Sequence, residues 1–274
     1  GIERGMNAKL KNGKDVYLSL DINIQSAVRN ELKHTINRFS AKSGAVLIMD
    51  ISNGEIITMN SFPDFNPNNN NTFKKENLFN SLIQGNYEMG STFKPITVSM
   101  GVDEKIIDLD MKFDVSKPIK GKIHDYHPYD GFLDVKEIVV ESSNIGTAKI
   151  AKMIGKDKQK IFFDKIGFNK KINFQIKEVA NPLGNKNNWG EIETMTIGYG
   201  HGFAITPLHL ATAYASLANS GIKIEPTIIK NHSLDTLNKD GHAIIKEETS
   251  KIFLKLLRAV VLETDYTGPR VKIN

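Results

Sequence analysis

The sequence predicts an α+β fold, in which helices flank a sheet. Two observations predict it: a strand-turn-strand pattern from Gly44 to Met59, and amphipathic helical patterns that recur on both sides of it along the chain. No segment repeats at the spacing of a solenoid. With 274 residues the chain can bury one large core, with or without a small appendage. We therefore expect a single main domain, mainly antiparallel in its sheet.

The first elements of that domain are predicted after a short lead segment. Residues 1–17 are polar and show no clear periodicity, which suits a linker or the edge of a preceding module. Apolar residues then recur at helical spacing from Ile22 to Phe39, and Asp21 is a suitable N-cap. We expect the main domain to occupy residues 18–274.

The hairpin follows this helix. The apolar run Gly44 to Asp50 and the run Glu55 to Met59 are separated by Ser52-Asn53-Gly54, a sequence typical of a tight turn. A polar loop is predicted from Phe65 to Thr72. Further helices are predicted at about 91–102, 135–154, 207–218 and 248–262, with connections rich in Gly, Pro and Asn.

Composition excludes several classes of function. The net charge is +5, but lysines alternate with acidic residues, so we expect a solvated surface and no nucleic-acid site. The absence of cysteine excludes disulfides, zinc-thiolate sites and thiol catalysis. His124 and His127 lack a convincing third ligand, so no metal or cofactor is expected. No apolar run reaches about 18 residues, and membrane attachment is expected only through an N-terminal anchor outside this sequence.

The motif Gly90-Ser91-Thr92-Phe93-Lys94-Pro95 is a candidate nucleophile site. Proline is tolerated only in the first turn of a helix, so Pro95 places Ser91 at or next to a helix N-terminus. There the backbone N–H groups favour negative charge on an attacked carbonyl oxygen. Lys94, three residues on, lies over the same face and is a candidate base if burial lowers its pKa. These six residues alone predict equally well a capping serine beside a solvated lysine.

The same spacing occurs a second time, at Ser220 and Lys223. This pair runs from the end of a helix through Gly221 into an apolar stretch, a context that offers nothing to activate a hydroxyl. Ser220 is therefore predicted to be a turn residue.

A second polar motif, Ser142-Ser143-Asn144, interrupts the helical pattern between Val140 and Ala148. It places a hydroxyl and an amide where a junction between two helices would direct them into a cleft. Ser142 is a candidate proton relay between Lys94 and a leaving amine, and Asn144 is a candidate ligand of a substrate amide. A plain helix cap explains the same residues.

Together these two motifs resemble the serine penicillin-binding proteins and β-lactamases. The resemblance to the transpeptidase domain of class B penicillin-binding proteins extends to Leu18-Ser19-Leu20-Asp21 with Gln25, the hairpin from Gly44 to Glu55, Ser61-Phe62-Pro63 with Asn66-Pro67-Asn68, Tyr87-Glu88-Met89-Gly90, and Gly198-Tyr199-Gly200 with Thr206-Pro207-Leu208. Ser142 to Lys149 looks most like the division-specific members, and Gly1 to Arg4 resembles the end of their non-catalytic pedestal.

The resemblance implies the penicillin-binding-protein and serine β-lactamase-like fold and a D,D-transpeptidase that acts in septal cell-wall synthesis. It implies Ser91, Lys94 and Ser142 as catalytic residues, and Asn144 with Gly198, Tyr199 and Gly200 as substrate-binding residues. The implied partners are peptidoglycan stem peptides, β-lactam antibiotics, and a septal glycosyltransferase with other division proteins. The implied location is the periplasmic side of a bacterial inner membrane.

One part of the family pattern is not found. A Lys-Thr-Gly motif is missing, since Lys11-Asn12-Gly13 is misplaced and Tyr266-Thr267-Gly268 lacks the cation. In the family a stretch like Thr267 to Arg270 precedes the strand that carries this motif. We therefore expect the chain to stop short of its last strands and terminal helix, and this fragment to be inactive or impaired.

Two alternatives remain at this stage. The first is a hydrolase, a D,D-carboxypeptidase or β-lactamase, although no Glu stands in a family-like motif to activate water. The second is a non-catalytic β-lactam-binding sensor, which the missing motif favours.

Overall fold

The computed structural model describes residues 1–69, 73–184, 189–230 and 242–263. In these ranges the helices are α1 (Ile2–Lys11), α2 (Ile22–Arg38), α3 (Ser81–Gln84), α4 (Lys94–Asp103), α5 (Val135–Val140), α6 (Asn144–Ile154), α7 (Lys156–Ile166), α8 (Glu191–Gly198), α9 (Pro207–Ala218) and α10 (Glu247–Glu263). The strands are β1 (Gly44–Met49), β2 (Ile56–Phe62), β3 (Tyr87–Glu88), β4 (Lys112–Asp114), β5 (Phe132–Asp134), β6 (Leu183–Gly184) and β7 (Phe203–Ile205).

Strands β1 and β2 form the predicted antiparallel hairpin, with Gly44 opposite Phe62 and Leu47 opposite Met59. The turn requires its glycine. Gly54 has φ +75°, and a Cβ atom there would lie 2.3 Å from the carbonyl oxygen of Glu225. No other residue meets both demands without displacing the backbone.

Helix α2 lies against this hairpin. The Asp21 carboxylate accepts hydrogen bonds from the Asn23 and Ile24 N–H groups at 2.9 and 3.0 Å, which confirms Asp21 as the N-cap. One turn on, Gln25 donates to the Met59 carbonyl at 3.0 Å and accepts from the Met59 N–H at 2.9 Å. The helix is therefore joined to β2 by polar as well as apolar contacts.

The main core surrounds α4. Every residue of this helix from Lys94 to Gly101 is buried, because α5, α6 and α10 pack against it. Aromatic side chains fill the space beside its first turn: the rings of Phe93 and Phe163 have centroids 5.7 Å apart, and Phe163 and Phe203 lie 5.0 Å apart. A second cluster, smaller, packs between the hairpin, α3 and residues 172–179.

Two short antiparallel sheets complete the described strands. Strand β7 pairs with both β3 and β6, and β4 pairs with β5. The pairing of β3 with β7 brings the residues just before Ser91 next to the residues just after Gly200. All named strand pairs are antiparallel, as predicted.

The sequence pattern missed some helices. The helical pattern over residues 135–154 forms two helices, α5 and α6, and Ser142 lies between them, where the Ser142-Ser143-Asn144 motif was predicted to interrupt the pattern. Helices α7 and α8 were not predicted. Residues 1–17 contain α1, whose Gly5 packs so closely that a Cβ atom would lie 2.0 Å from the Gln175 carbonyl oxygen. Ile2, Met6 and Leu10 recur at helical spacing in this segment, a pattern that the prediction of a linker overlooked. The domain boundary at residues 17 and 18 stays a prediction.

None of the helices described is both long and apolar enough to cross a bilayer. The last part of the predicted 65–72 loop and the segment from Thr267 to Arg270 lie outside the described residues.

Candidate active site

The candidate nucleophile, Ser91, lies in a single 3₁₀ turn formed by residues Gly90–Phe93, which leads directly into α4. Pro95 occupies the first turn of α4, as predicted from its missing N–H group. Ser91 is exposed, whereas Lys94 is only 1% exposed. The turn therefore presents a hydroxyl to solvent directly above a buried amine.

Lys94 joins the two sequence motifs. Its Nζ atom lies 3.1 Å from the Ser91 Oγ and 2.8 Å from the Ser142 Oγ, and it also donates to the Ser142 carbonyl oxygen. Burial lowers the pKa of Lys94 from 10.5 to about 8, and the nearby Asp125 carboxylate opposes that shift. A solvated lysine, the alternative that the sequence left open, is excluded.

These three contacts match what a neutral amine can make. A neutral lysine has two N–H donors and one lone pair. If the donors go to the carbonyl and hydroxyl oxygens of Ser142, the lone pair is left for the Ser91 O–H group. The arrangement is therefore suited to remove a proton from Ser91 and to pass one to Ser142.

Ser142 is held in an uncommon backbone conformation. Its φ is +57°, in the left-handed region that residues other than glycine adopt at a cost of roughly 1–2 kcal/mol. The bend is enforced on both sides: the Ser143 N–H donates to the Ile138 carbonyl, and the Ser143 Oγ caps α6 by accepting from the Gly146 N–H at 2.9 Å. This conformation directs both oxygens of Ser142 at the Lys94 amine.

Two substitutions of Ser142 distinguish the effect of its hydroxyl from the effect of its backbone conformation. Both Ser142→Ala and Ser142→Gly remove the hydroxyl, and each should slow acylation by a β-lactam about 10²-fold. Only glycine adopts the left-handed conformation without strain. The free energy of unfolding of Ser142→Gly should therefore be about 1 kcal/mol higher than that of Ser142→Ala. Urea denaturation and rapid-mixing acylation measure the two effects. Equal stability of the two variants would contradict the strained backbone described above.

Asn144 and the loop that precedes β5 are bound to each other. The Asn144 Nδ2 donates to the His124 carbonyl at 2.8 Å. The neighbouring Asp125 carboxylate accepts from the Ser143 Oγ at 2.7 Å and from the Ile145 N–H at 2.9 Å. These bonds fix the start of α6, and with it the Ser142 bend.

Sequence reasoning missed Asp125, because the run His124 to His127 was considered only as a metal site. Within the described residues no cluster of three or more metal-ligating side chains is found. A carboxylate 20 residues before the N–H group that it binds gives no local signal, since only the fold brings the two together.

The predicted residues Gly198, Tyr199 and Gly200 lie behind the nucleophile turn. The Thr97 hydroxyl of α4 donates to the Gly198 carbonyl at 2.6 Å, and the Gly90 N–H donates to the Gly200 carbonyl at 3.2 Å. A Cβ atom on Gly200 would lie 2.2 Å from the Gly90 oxygen, and Tyr199 is only 7% exposed. Gly200 therefore contacts the turn that carries Ser91, and Gly198 contacts α4. The substrate-binding role of the three residues stays a prediction.

Glu88 is a second residue that sequence reasoning left without a role of its own. Its carboxylate accepts from the Gly202 N–H at 2.8 Å and lies 3.1 Å from the His201 Nδ1. The Gly202 N–H holds the pKa of Glu88 below its usual range, with a further contribution from His201. The carboxylate therefore links the strand before Ser91 to the loop after Gly200.

In the second occurrence of the Ser-Lys spacing, at Ser220 and Lys223, the serine is a turn residue, as predicted. Ser220 lies in a turn with φ +52°, and the Lys223 amine lies 3.1 Å from the Glu225 carboxylate. The structure thus distinguishes two occurrences of one sequence pattern.

Residues 44–273 match the family described as the penicillin binding protein transpeptidase domain. The chain belongs to this family. The match covers most of the sequence and includes both the Ser91 motif and the Ser142 motif. It confirms the resemblance.

Individual relatives agree with that assignment. The chain is 32% identical over 270 residues to the "Probable peptidoglycan D,D-transpeptidase FtsI" of Caulobacter vibrioides, covering 96% of this chain and 45% of that protein. It is 30% identical over 258 residues to the "Probable peptidoglycan D,D-transpeptidase PenA" of Neisseria meningitidis, covering 93% of this chain and 43% of that protein. The chain thus spans less than half the length of these relatives.

A solved structure from Burkholderia ambifaria, described as a peptidoglycan glycosyltransferase, superimposes with a TM-score of 0.79 at 26% identity. The superposition covers 90% of this chain and 74% of that one. With the family match, it confirms the predicted α+β transpeptidase fold.

Proposed function

We propose that this domain is the acyl-transfer domain of a serine D,D-transpeptidase that cross-links peptidoglycan stem peptides. One observation carries the proposal: a buried lysine amine lies within hydrogen-bond distance of both the Ser91 and the Ser142 hydroxyls. The names of the FtsI and PenA relatives support the choice of substrate.

In the first half-reaction the Ser91 Oγ attacks the carbonyl carbon of the D-Ala-D-Ala peptide bond. The Ser91 proton passes to the neutral Lys94 amine, and negative charge develops on the carbonyl oxygen near the Ser91 backbone N–H group. The C–N bond then breaks, and the leaving D-Ala amine receives a proton from Lys94 through the Ser142 hydroxyl. The product is an ester on Ser91.

In the second half-reaction an amine of a neighbouring stem peptide attacks this ester. The amine gives up a proton through Ser142 to Lys94, and the new amide bond forms as the C–O bond to Ser91 breaks. Lys94 then returns the proton to the Ser91 oxygen. We further propose that Asn144 binds the substrate backbone: its Nδ2 donates to the His124 carbonyl, and its Oδ1 would accept from a substrate N–H group.

A β-lactam would be attacked by the same serine. Its ring opens when the amide C–N bond breaks, and the amine stays attached to the acyl group. The ester therefore persists, and penicillin labels the site.

The cellular role that we propose is septal wall synthesis, on the periplasmic side of a bacterial inner membrane. The support is the name FtsI among the relatives and the resemblance of Ser142 to Lys149 to division-specific members. A septal glycosyltransferase and other division proteins are the partners that this role implies.

The fate of the acyl group tests the reaction class. The full-length gene product is given a donor ending in D-Ala-D-Ala together with an acceptor amine. We expect an amide product that rises with acceptor concentration and a penicillin adduct that lasts for many minutes. Release of free acid alone, or penicillin turnover within minutes, would make the protein a hydrolase. A stable adduct without any peptide product would make it a sensor.

A further inference from the structure

The turn that carries Ser91 has no side-chain cap of its own. Its backbone is held at one end by the Gly90 N–H, which donates to the Gly200 carbonyl at 3.2 Å. The Thr92 hydroxyl donates back to the Met89 carbonyl at 2.7 Å, within the same segment. On the far side of Ser91 the Lys94 N–H donates to the Ser91 carbonyl as the turn enters α4, so a bond to the Thr92 carbonyl has to come from another element.

Tyr214 of α9 supplies that bond. Its phenol donates to the Thr92 carbonyl oxygen at 2.6 Å, across 122 residues of sequence. The ring itself is fixed, because it packs edge-on against the fully buried Phe253 of α10 at a centroid distance of 5.3 Å. Burial raises the pKa of Tyr214 well above its ordinary range, so the phenol is a hydrogen-bond donor throughout the pH range of enzyme assays.

The hydrogen bond from Tyr214 to the Thr92 carbonyl should contribute little to the free energy of unfolding. Thr92 is exposed, so water can bind its carbonyl when the phenol is absent. A phenylalanine at position 214 would keep the ring packed against Phe253. The phenol instead fixes the orientation of Thr92, the residue between Ser91 and the buried Phe93.

We propose that Tyr214 is a positioning residue, whose phenol holds the Thr92 carbonyl and thereby keeps the Ser91 hydroxyl aimed at Lys94. This inference rests on the proposed function, because it assigns Tyr214 an effect on the acylation of Ser91. Small displacements of reacting groups are costly, and about 1 Å reduces rates by up to 10²-fold.

The test is Tyr214→Phe in the full-length gene product, with Tyr17→Phe as the same change at an exposed tyrosine outside the site. Rapid mixing with a fluorescent penicillin separates the dissociation constant of the non-covalent complex from the acylation rate constant. We expect Tyr214→Phe to lower the rate constant about tenfold and to leave the dissociation constant and the melting temperature close to the wild type. Tyr17→Phe should leave both the acylation rate constant and the dissociation constant at their wild-type values.

A second measurement does not depend on catalysis. Amide hydrogen exchange at residues 90–94 should become faster in Tyr214→Phe, while exchange in α2 and in the hairpin stays unchanged. An acylation rate constant within twofold of the wild type, or unchanged exchange at residues 90–94, would overturn the proposal. If Ser91 were not the nucleophile, the proposed function would fail while the exchange result would still stand, so the two failures are distinguishable.

Discussion

Ser91→Ala should abolish covalent labelling of the full-length gene product by a fluorescent penicillin. Alanine removes the only atom at this position that can form the ester, and the burial of Lys94 beneath it is unaffected. Mass spectrometry after incubation should show the adduct on the wild type and none on the variant. The loss should exceed 10³-fold, because nothing replaces a missing nucleophile.

Ser220→Ala is the matched control for this experiment. Ser220 and Lys223 have the same spacing as Ser91 and Lys94, but Lys223 lies beside Glu225 and Ser220 is exposed in a turn. This variant should be labelled at the wild-type rate. A penicilloyl adduct on Ser91→Ala would show that another residue is the nucleophile and would end the assignment.

Lys94→Met should slow acylation at neutral pH by about 10²–10⁴-fold, the usual contribution of a general base. Methionine has a similar length and stays within the core, but it cannot accept the Ser91 proton. In the wild type, acylation should rise with pH and level off above about 8, because only the neutral amine acts as the base. The variant should lack this rise, and Lys255→Met, at an exposed position of α10, should keep it. A pH-independent rate in the wild type would contradict the role of Lys94.

The same pKa shift predicts how stability depends on pH. The folded protein releases the Lys94 proton at a pH of about 8, whereas the unfolded chain keeps it up to about 10.5. Between these values the unfolded state binds more protons, so this group makes the free energy of unfolding rise with pH, by about 3 kcal/mol in all. Urea denaturation at several pH values, with the Lys94→Met variant subtracted, measures that contribution. A difference that falls with pH would contradict the direction of the shift.

The sequence predicted a residue's structural position correctly where that position is determined by neighbouring residues in the chain. Asp21 caps α2, Gly54 adopts a positive φ in the hairpin turn, and Pro95 stands in the first turn of α4. Each residue is constrained by atoms a few positions away, so its neighbours in the sequence are enough to predict its place.

Longer-range features could not be predicted in this way. The bend at Ser142 depends on a carboxylate from a separate loop, which holds Ser143 and Ile145. The polar motif marked an interruption of the helical pattern, but it did not identify Asp125 as the residue that holds the bend, because the two are brought together only by the fold. The packing of α1 against Gln175 was likewise invisible to a pattern that counts only apolar spacing.

The sequence by itself determined the class of the site: two hydroxyls and an amine in the Ser91 and Ser142 motifs, with an ordered series of segments typical of one family. It could not decide whether Lys94 is a base or a solvated cation, since the six residues of that motif allowed both. The tertiary structure decided this, because the fold buries the Lys94 side chain and burial lowers the pKa of its amine. Desolvation depends on which atoms surround a group in space, and a sequence pattern does not contain that information.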